Sequence, residues 1–161
     1  ARAQLQDDVR LVNIPNDSIK KQLVRNRLYD TECILEQCIV CPHGRTGDCA
    51  KTGVVYRTEC LNCHASYIGE TGRMLGIRIK EHLAGKRKGS TTTPLGKHKI
   101  EVHSGNDFDV KCTILACESE ISARKVLEAA FITAKNPAIN NRNECISITS
   151  DLVPFLSLCE L

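Results

Sequence analysis

Four residues in the middle of the sequence have the types and spacing of a zinc site. Cys60 and Cys63 form a C-x-x-C pair, and His98 and His103 form an H-x4-H pair after a gap of 34 residues. A C-x-x-C turn presents two thiolates to one ion, and such a histidine pair completes a tetrahedron. Because the gap is much longer than in a self-contained finger, the sequence predicts a structural Zn²⁺ that joins two distant segments. The alternative is a chance pairing with two surface histidines.

A second cysteine group precedes the first and has three clear ligands, Cys38, Cys41 and Cys49, with either Cys33 or His43 as the fourth. Clustered C-x-x-C pairs without a secretory signal favour metal thiolates in a reducing compartment over disulfides. Six of the ten cysteines lie between Cys33 and Cys63, and the full set is Cys33, Cys38, Cys41, Cys49, Cys60, Cys63, Cys112, Cys117, Cys145 and Cys159.

Polar residues in several segments have the types needed for phosphodiester hydrolysis. A Tyr or His base, an Arg that stabilises developing negative charge and a carboxylate that holds Mg²⁺ suit that reaction. The candidates are Tyr56, Tyr67, Arg78, His82 and Glu128. Each also has a purely structural interpretation, because strand tyrosines often pack in cores and helix Arg and His residues often face solvent.

The mid-helix carboxylate Glu128 lies in an otherwise apolar stretch, VLEAAFI. An unpaired buried charge is costly, so this residue needs a partner or a metal. Arg124 or Lys125, one turn earlier, is the structural alternative.

The elements that must position these residues follow from local patterns. VVYRT (54–58), ASYIG (65–69) and DVKCTILA (109–116) are typical of strands, the first two forming a hairpin. A helix is predicted over 73–88, where Leu75, Ile79 and Leu83 form one apolar stripe. A loop is predicted at 90–96, so His98 and His103 would follow the helix on a loop. Ser119 is expected to cap a second helix that stops at Asn136 and Pro137.

This order predicts an α+β fold with a small mixed or antiparallel sheet, flanking helices and a zinc staple. We expect a helical arm at 1–32, with a short helix over 17–30, and a cysteine-rich knuckle at 33–52. The main domain is predicted at 53–145 and a tail at 146–161, with weak strand character around CISIT.

Composition and charge limit the classes of function. With 161 residues, 42% apolar and 25% charged, the chain is not wholly disordered, and it has no apolar stretch long enough to span a membrane. Its first residues, ARAQLQDDVR, lack the apolar segment of a signal peptide, and the sequence begins with Ala rather than Met, so we expect a piece of a longer protein. The window from Arg73 to Lys99 has eight basic residues and one acid, a charge of +7. Such a field favours a polyanion as partner, and a solvated Lys/Arg helix face is the structural alternative.

The ordered string of motifs resembles the GIY-YIG nuclease family. It consists of VVY (54–56), YIG-ETGR (67–73), Leu75-x2-Arg78-x3-His82, Glu128 and Asn140. The C-x-x-C between the first two motifs, with the later His pair, is similar to the variant carried by Penelope-like retroelements. The cysteines at 33–49 also resemble the linker of these elements. The first motif departs from the family pattern, because it has VVY where the family has GIY.

The resemblance implies a role for each matching residue. Tyr56 or Tyr67 helps to activate the attacking water, with His82 as an alternative or assisting base. Arg78 contacts the scissile phosphate, Glu128 binds one Mg²⁺ or Mn²⁺, and Asn140 is a late polar residue near the site. It also implies DNA as partner, no small-molecule cofactor, a covalently linked reverse transcriptase upstream and a nuclear location.

Two hypotheses therefore follow from the sequence. The first is a metal-dependent DNA endonuclease domain that nicks target DNA for retroelement integration. The second is a catalytically inactive, zinc-stabilised nucleic-acid-binding module. The two share the basic window and the zinc ligands, and they differ in whether Glu128 matters for cutting.

Overall fold

The computed structural model describes residues 33, 37–141, 146, 148–151, 153, 154 and 156. In this part of the chain two 3₁₀ turns, Cys41–His43 and Asp48–Ala50, precede the regular elements. These elements are β1 (Val54–Cys60), β2 (Ser66–Thr71), α1 (Leu75–Lys88), α2 (Pro94–Glu101), β3 (Val110–Cys117) and α3 (Ile121–Lys135). The predicted α+β fold is confirmed. The predicted helix at 17–30 and part of the weak strand around CISIT lie outside the described residues.

The three strands form one antiparallel sheet in the order β2-β1-β3, with β1 in the centre. Tyr56 lies opposite Gly69 on β2 and opposite Ile114 on β3. A register shift between Val55 and Tyr56 interrupts the pairing of β1 with β3. The extra residue, Leu115, is on β3, and such a bulge bends the strand that carries it and increases the local twist. On β1 the register shift lies immediately before the tyrosine of the first motif.

A helix covers each face of the sheet. On one face, the predicted apolar stripe of α1 packs through Leu75 and Ile79 against Val54, Tyr56 and Cys112. On the other, α3 packs through its apolar residues against a second cluster that includes Val55, Ile68, Phe131 and Ile132. Because both faces of β1 are covered, Val54, Val55 and Tyr56 are completely buried. None of the described helices has the length and apolarity needed to span a membrane.

Two predictions about helices were wrong in detail. Residues 94–101 form helix α2 rather than continuing the predicted loop, which places His98 on a helix. The proline at its start and the three threonines before it are typical of a loop, so the sequence pattern did not predict this short helix. Leu95 is almost fully buried and packs the helix into the core. At the start of α3 the capping residue is Glu120 rather than Ser119, because the Glu120 carboxylate accepts a hydrogen bond from the Ala123 N–H.

The helix ends follow simple backbone rules. Gly89 ends α1 with a φ of 62°, a left-handed conformation that glycine adopts without strain. Asn136 ends α3 with a φ of 44°, and Pro137 follows it, so the predicted stop is confirmed.

The cysteine-rich segment packs directly on the sheet and on α1. Val40 is buried in the same cluster as Tyr56, and Ile39 accepts a hydrogen bond from the N–H of Cys112 on β3. Lys51 accepts another from the N–H of Leu75, the first residue of α1. The segment therefore supports both an edge strand and the start of α1.

Candidate active site and metal centres

Tyr56, His82 and Arg78 form a hydrogen-bonded group between β1 and α1. The Tyr56 Oη lies 2.8 Å from the His82 Nε2, and the Arg78 Nε donates to the same oxygen over 3.4 Å. A guanidinium only donates, so the phenol accepts from Arg78, and the buried hydroxyl hydrogen finds its partner when the phenol donates to the His82 Nε2. This pattern requires the neutral histidine tautomer that carries its proton on Nδ1.

The environment keeps both members of the Tyr56–His82 pair uncharged. Burial raises the pKa of the Tyr56 hydroxyl, since a phenolate would have to lie in the core. Burial, with the nearby positive charge of Arg78, lowers the pKa of His82 to about 4. At neutral pH, His82 is therefore a free-base imidazole placed to accept the phenolic proton. The solvated helix face that sequence allowed for His82 is excluded, because only 3% of this residue is exposed.

Tyr67 stands on the neighbouring strand beside this pair. Its ring centroid lies 6.5 Å from that of Tyr56 and 5.3 Å from that of His82. Gly69 makes this approach possible, because a Cβ there would lie 2.8 Å from the Tyr56 Oη and 2.8 Å from the Tyr67 Cε1. A glycine within a strand often marks such a close approach. The glycine of the YIG motif is thus needed for the packing of the two phenol rings.

Glu128 approaches the free edge of β2 from α3. The backbone N–H of Glu70 donates a hydrogen bond to the Glu128 carboxylate. Burial and the nearby Glu70 carboxylate raise the pKa of Glu128, while Arg78 acts in the opposite direction. The half-buried Glu128 carboxylate therefore interacts electrostatically with Glu70 on the edge strand and with Arg78 on α1. Such a group gains from a divalent cation, which would offset its desolvation.

The structural alternative for Glu128 was an ion pair with Arg124 or Lys125 within α3. The charge of Lys125 helps to lower the pKa of Glu128, whereas Arg124 pairs elsewhere. The Arg124 Nε donates to the Glu70 Oε2 over 2.5 Å, and the Arg124 side chain is only 5% exposed. Its Nη1 donates to the carbonyls of Glu118 and Ser119. This buried ion pair joins α3 to β2 one turn before Glu128.

Asn140 binds the same edge strand through both ends of its amide. Its Oδ1 accepts from the Ile68 N–H over 2.8 Å, and its Nδ2 donates to the Ile68 carbonyl over 2.7 Å. The side chain pairs with the strand as a neighbouring strand would. Asn140 therefore holds the strand that carries Tyr67, and these two hydrogen bonds direct its amide to the backbone.

The four predicted zinc ligands come together. The Nε2 atoms of His98 and His103 are 3.2 Å apart, the Cys63 Sγ lies 3.3 Å from the His98 Nε2, and the Cys60 Sγ lies 3.4 Å from the His103 Nε2. A tetrahedral Zn²⁺ with Zn–S of ~2.3 Å and Zn–N of ~2.0 Å separates neighbouring ligand atoms by ~3.3 to ~3.8 Å. This donor set fits zinc and leaves no open position for water.

The ring of Phe108 supports this group from behind. It stacks on His103 with centroids 4.7 Å apart and meets His98 edge-on at 5.3 Å. The Lys86 ammonium lies over the same ring and donates to the Phe108 carbonyl, which ties the end of α1 to the metal group.

The second cysteine group also closes into a possible metal centre. The sulfur atoms of Cys33, Cys38, Cys41 and Cys49 all lie within 4.8 Å of one another. The fourth ligand that the sequence left open is therefore Cys33, and His43 is not part of the group. Four thiolates suit a structural Zn²⁺. Gly76 lets this group approach α1, because a Cβ there would lie 3.0 Å from the Cys49 carbonyl oxygen.

The structure thus brings Tyr56, Tyr67, Arg78 and His82 into one cluster, with Glu128 at the adjoining edge of β2. Sequence analysis gave no individual role to Gly69 or Glu70, and it named Arg124 only as a possible partner of Glu128. Gly69 had a usable signal, a glycine inside a β-branched and aromatic segment. The Glu70–Arg124 pair had none, because its members are 54 positions apart.

Comparison with known protein families identifies a family to which this arrangement of residues corresponds. A model described as the GIY-YIG catalytic domain matches residues 52–143, more than half of the chain, from the residues before β1 to those after Asn140. Comparisons with curated proteins and with solved structures give no match. The matched family is one of endonucleases, which act on DNA and generally use divalent metal ions. The chain therefore belongs to the GIY-YIG catalytic domain family.

Proposed function

We propose that this domain is a DNA endonuclease that depends on Mg²⁺ or Mn²⁺ and hydrolyses one phosphodiester bond per event. The observation that carries the proposal is the Arg78–Tyr56–His82 hydrogen-bonded chain, with the Glu128 carboxylate close enough for the charge of Arg78 to act on its pKa. A base, a cation and a metal-binding carboxylate are the groups that phosphodiester hydrolysis needs.

The proton path begins at Tyr56. An attacking water gives a proton to the Tyr56 Oη while the phenolic hydrogen moves to the His82 Nε2, so no phenolate has to form in the core. The low pKa of His82, about 4, keeps its acceptor nitrogen free at neutral pH. Because Tyr56 is completely buried, Arg78 must move away from the Oη and towards the phosphate before water can reach it.

Arg78 and Glu128 have the roles that offset the negative charge of the phosphate. Arg78 is about one-third exposed and can donate to a non-bridging phosphate oxygen while its stem stays packed on α1. Glu128 would hold the divalent cation, which supplies positive charge for the leaving side of the phosphate. One such set of groups cuts one strand, so a double-strand break needs a second protomer or a second encounter.

We propose Zn²⁺ as the ion of both cysteine groups. Its role is structural in each, since four protein ligands are present and both groups pack on elements of the active site.

A nicking assay on supercoiled plasmid tests the proposed function. The wild-type domain with zinc bound should convert plasmid to the open circle in Mg²⁺ or Mn²⁺, and omission of these ions should stop the reaction. Arg78→Ala and Glu128→Ala should each lower the rate by about 10²-fold or more. Glu101→Gln, on the exposed face of α2, is the control. A folded, zinc-loaded wild type that leaves DNA intact with either metal would refute the proposal.

The second candidate, a zinc-stabilised nucleic-acid-binding module without activity, is favoured by one observation. Lys80, Arg87 and Lys88 on α1 are exposed, and within the described residues none of them has an ion-pair partner. Salt-sensitive DNA binding without nicking would select this candidate over the first.

We also propose a place for the domain in a Penelope-like retroelement, where it would nick target DNA in the nucleus for integration, joined to an upstream reverse transcriptase. The support is the C-x-x-C of Cys60 and Cys63 between the two tyrosine motifs, with the later His98 and His103. Sequencing of the longer transcript would reveal whether reverse transcriptase motifs precede residue 1.

A further inference from the structure

A carboxylate on α1 lies between two arginines at the edge of the active site. The Glu81 carboxylate accepts two parallel hydrogen bonds from Arg73, Nη1 to Oε1 and Nη2 to Oε2, both over 2.9 Å. Its Oε2 also accepts from the Arg78 Nη1 over 3.2 Å. One anion thus holds two guanidinium groups, and one of these belongs to the arginine assigned to the scissile phosphate.

The N–H donors around the Glu81 carboxylate are arranged as arginines arrange them around a phosphate. Arginine pairs with carboxylate and with phosphate through the same two-pronged arrangement of N–H donors. Because the Glu81 Oε2 is shared, an Nη of Arg73 and an Nη of Arg78 both point at a single oxygen atom. A non-bridging phosphate oxygen in that position would receive the same two donors.

The site is open to a polyanion. The side chains of Arg73 and Glu81 are 59% and 44% exposed, so the contact lies in water, where ion pairs are weak and easily exchanged. Arg78 is in addition hydrogen-bonded to the Tyr56 hydroxyl, so the exposed pair is continuous with the buried proton path.

We propose that Arg73 is a second phosphate-binding residue of the nuclease and that Glu81 occupies the position of a DNA phosphate in the free protein. On binding, a backbone phosphate displaces Glu81 and takes both guanidinium groups. This releases Arg78 from Glu81 and allows the movement away from Tyr56 that opens the hydroxyl to water. The inference rests on the proposed nuclease function for its substrate, a DNA backbone.

DNA binding, measured without Mg²⁺ or Mn²⁺ so that no strand is cut, tests the inference. The probe is a short labelled duplex, titrated with the zinc-loaded domain at several salt concentrations. Arg73→Gln should weaken binding and reduce the slope of log K against log salt by about one, as expected for one lost phosphate contact. Glu81→Gln should act in the opposite direction and tighten binding several-fold, because it removes a competing anion from the phosphate position.

A matched control separates this effect from general charge. Lys111 on β3 is also a partly exposed cation paired with a carboxylate, that of Glu59, and it lies on a different element from Arg73 and Glu81. Lys111→Gln should change the salt slope less than Arg73→Gln does. Thermal melting of each variant shows whether it is folded.

The inference predicts that Arg73→Gln weakens DNA binding and that Glu81→Gln tightens it, and this contrast is the decisive result. A structural ion pair without a role in binding would give no change in either variant, and an arginine that needs Glu81 for its position would make both variants weaker. Either result would overturn the inference. Failure of the nuclease proposal has a different signature, absence of nicking in the wild type, and leaves the binding data intact.

Discussion

Tyr56 and His82 are chemically useful because the core keeps both of them neutral. The arrangement that gives the buried hydroxyl hydrogen a partner has the phenol donating to an imidazole whose other nitrogen carries the proton, while Arg78 donates to the same oxygen. The low pKa of His82 arises from burial and from Arg78, so it is a property of the folded protein. It therefore makes stability depend on pH.

The expected pH effect has a definite sign. Unfolded His82 takes up a proton with a pKa near 6.5, whereas the folded protein takes it up only near 4, so the unfolded state binds more protons in between. Stability must then fall as the pH falls. Between pH 7.5 and pH 5 we expect the wild type to lose ~2 kcal/mol of unfolding free energy relative to His82→Gln. Urea unfolding of both proteins measures it, and a constant difference across this range would contradict a buried neutral His82.

At the level of elements, the free edge of β2 is closed by side chains. An exposed strand edge offers unpaired N–H and C=O groups, and here Asn140 takes those of Ile68 while Glu128 takes the N–H of Glu70. The edge strand β2 carries Tyr67 and therefore links it to the metal-binding candidate Glu128 on α3 and to the segment after α3.

Asn140→Ala tests this closure. Loss of both hydrogen bonds leaves two partly buried backbone groups of Ile68 without their partner and should cost ~1 to ~3 kcal/mol of unfolding free energy. Amide hydrogen exchange at Ile68 should become faster. Asn106→Ala, in an exposed loop, serves as the control and should leave the Ile68 amide unchanged. Equal exchange in Asn140→Ala and wild type would exclude the assigned role.

At the level of the whole molecule, two cysteine-containing groups brace α1 at its two ends. Near its start, Gly76 packs against Cys49 of the four-cysteine group. Near its end, Lys86 lies over Phe108, whose ring stacks on His103 of the other group. The helix that carries Arg78 and His82 is thus held between two candidate metal centres.

Removing one ligand from each group tests this design. Elemental analysis should find one zinc fewer per chain in Cys41→Ser and in Cys63→Ser than in wild type, and no change in Cys117→Ser, an exposed cysteine outside both groups. Because structural zinc contributes folding energy directly, the first two variants should melt at least ~10 °C lower. They should also nick DNA more slowly. Unchanged zinc content in either variant would remove that group from the account.

Local patterns predicted much of the fold, for physical reasons visible in single elements. The period of Leu75, Ile79 and Leu83 marked the buried face of α1, and the β-branched and aromatic segments marked the hairpin. Helix α2 was missed because its eight residues have little intrinsic preference and depend on the burial of Leu95.

The site was predictable only in part. Motif spacing indicated which residue types belong together, but contacts such as Glu70 with Arg124 and Glu81 with two arginines depend on tertiary packing and on rotamers. The fourth ligand of the four-cysteine group could not be assigned from the sequence for the same reason. Spacing alone allowed both Cys33 and His43, and the position of the backbone decides between them.

The most direct test of the account is the stereochemical course of cleavage at phosphorus. In the proposed mechanism Tyr56, Arg78 and Glu128 direct a single water molecule at the phosphate, although two tyrosines stand in the site and either has the chemistry of a nucleophile. A duplex with one phosphorothioate of known configuration at the mapped nick site, cleaved in ¹⁸O-labelled water, distinguishes the two mechanisms. One in-line attack by water predicts inversion, and retention would show a covalent enzyme–DNA intermediate and contradict the account.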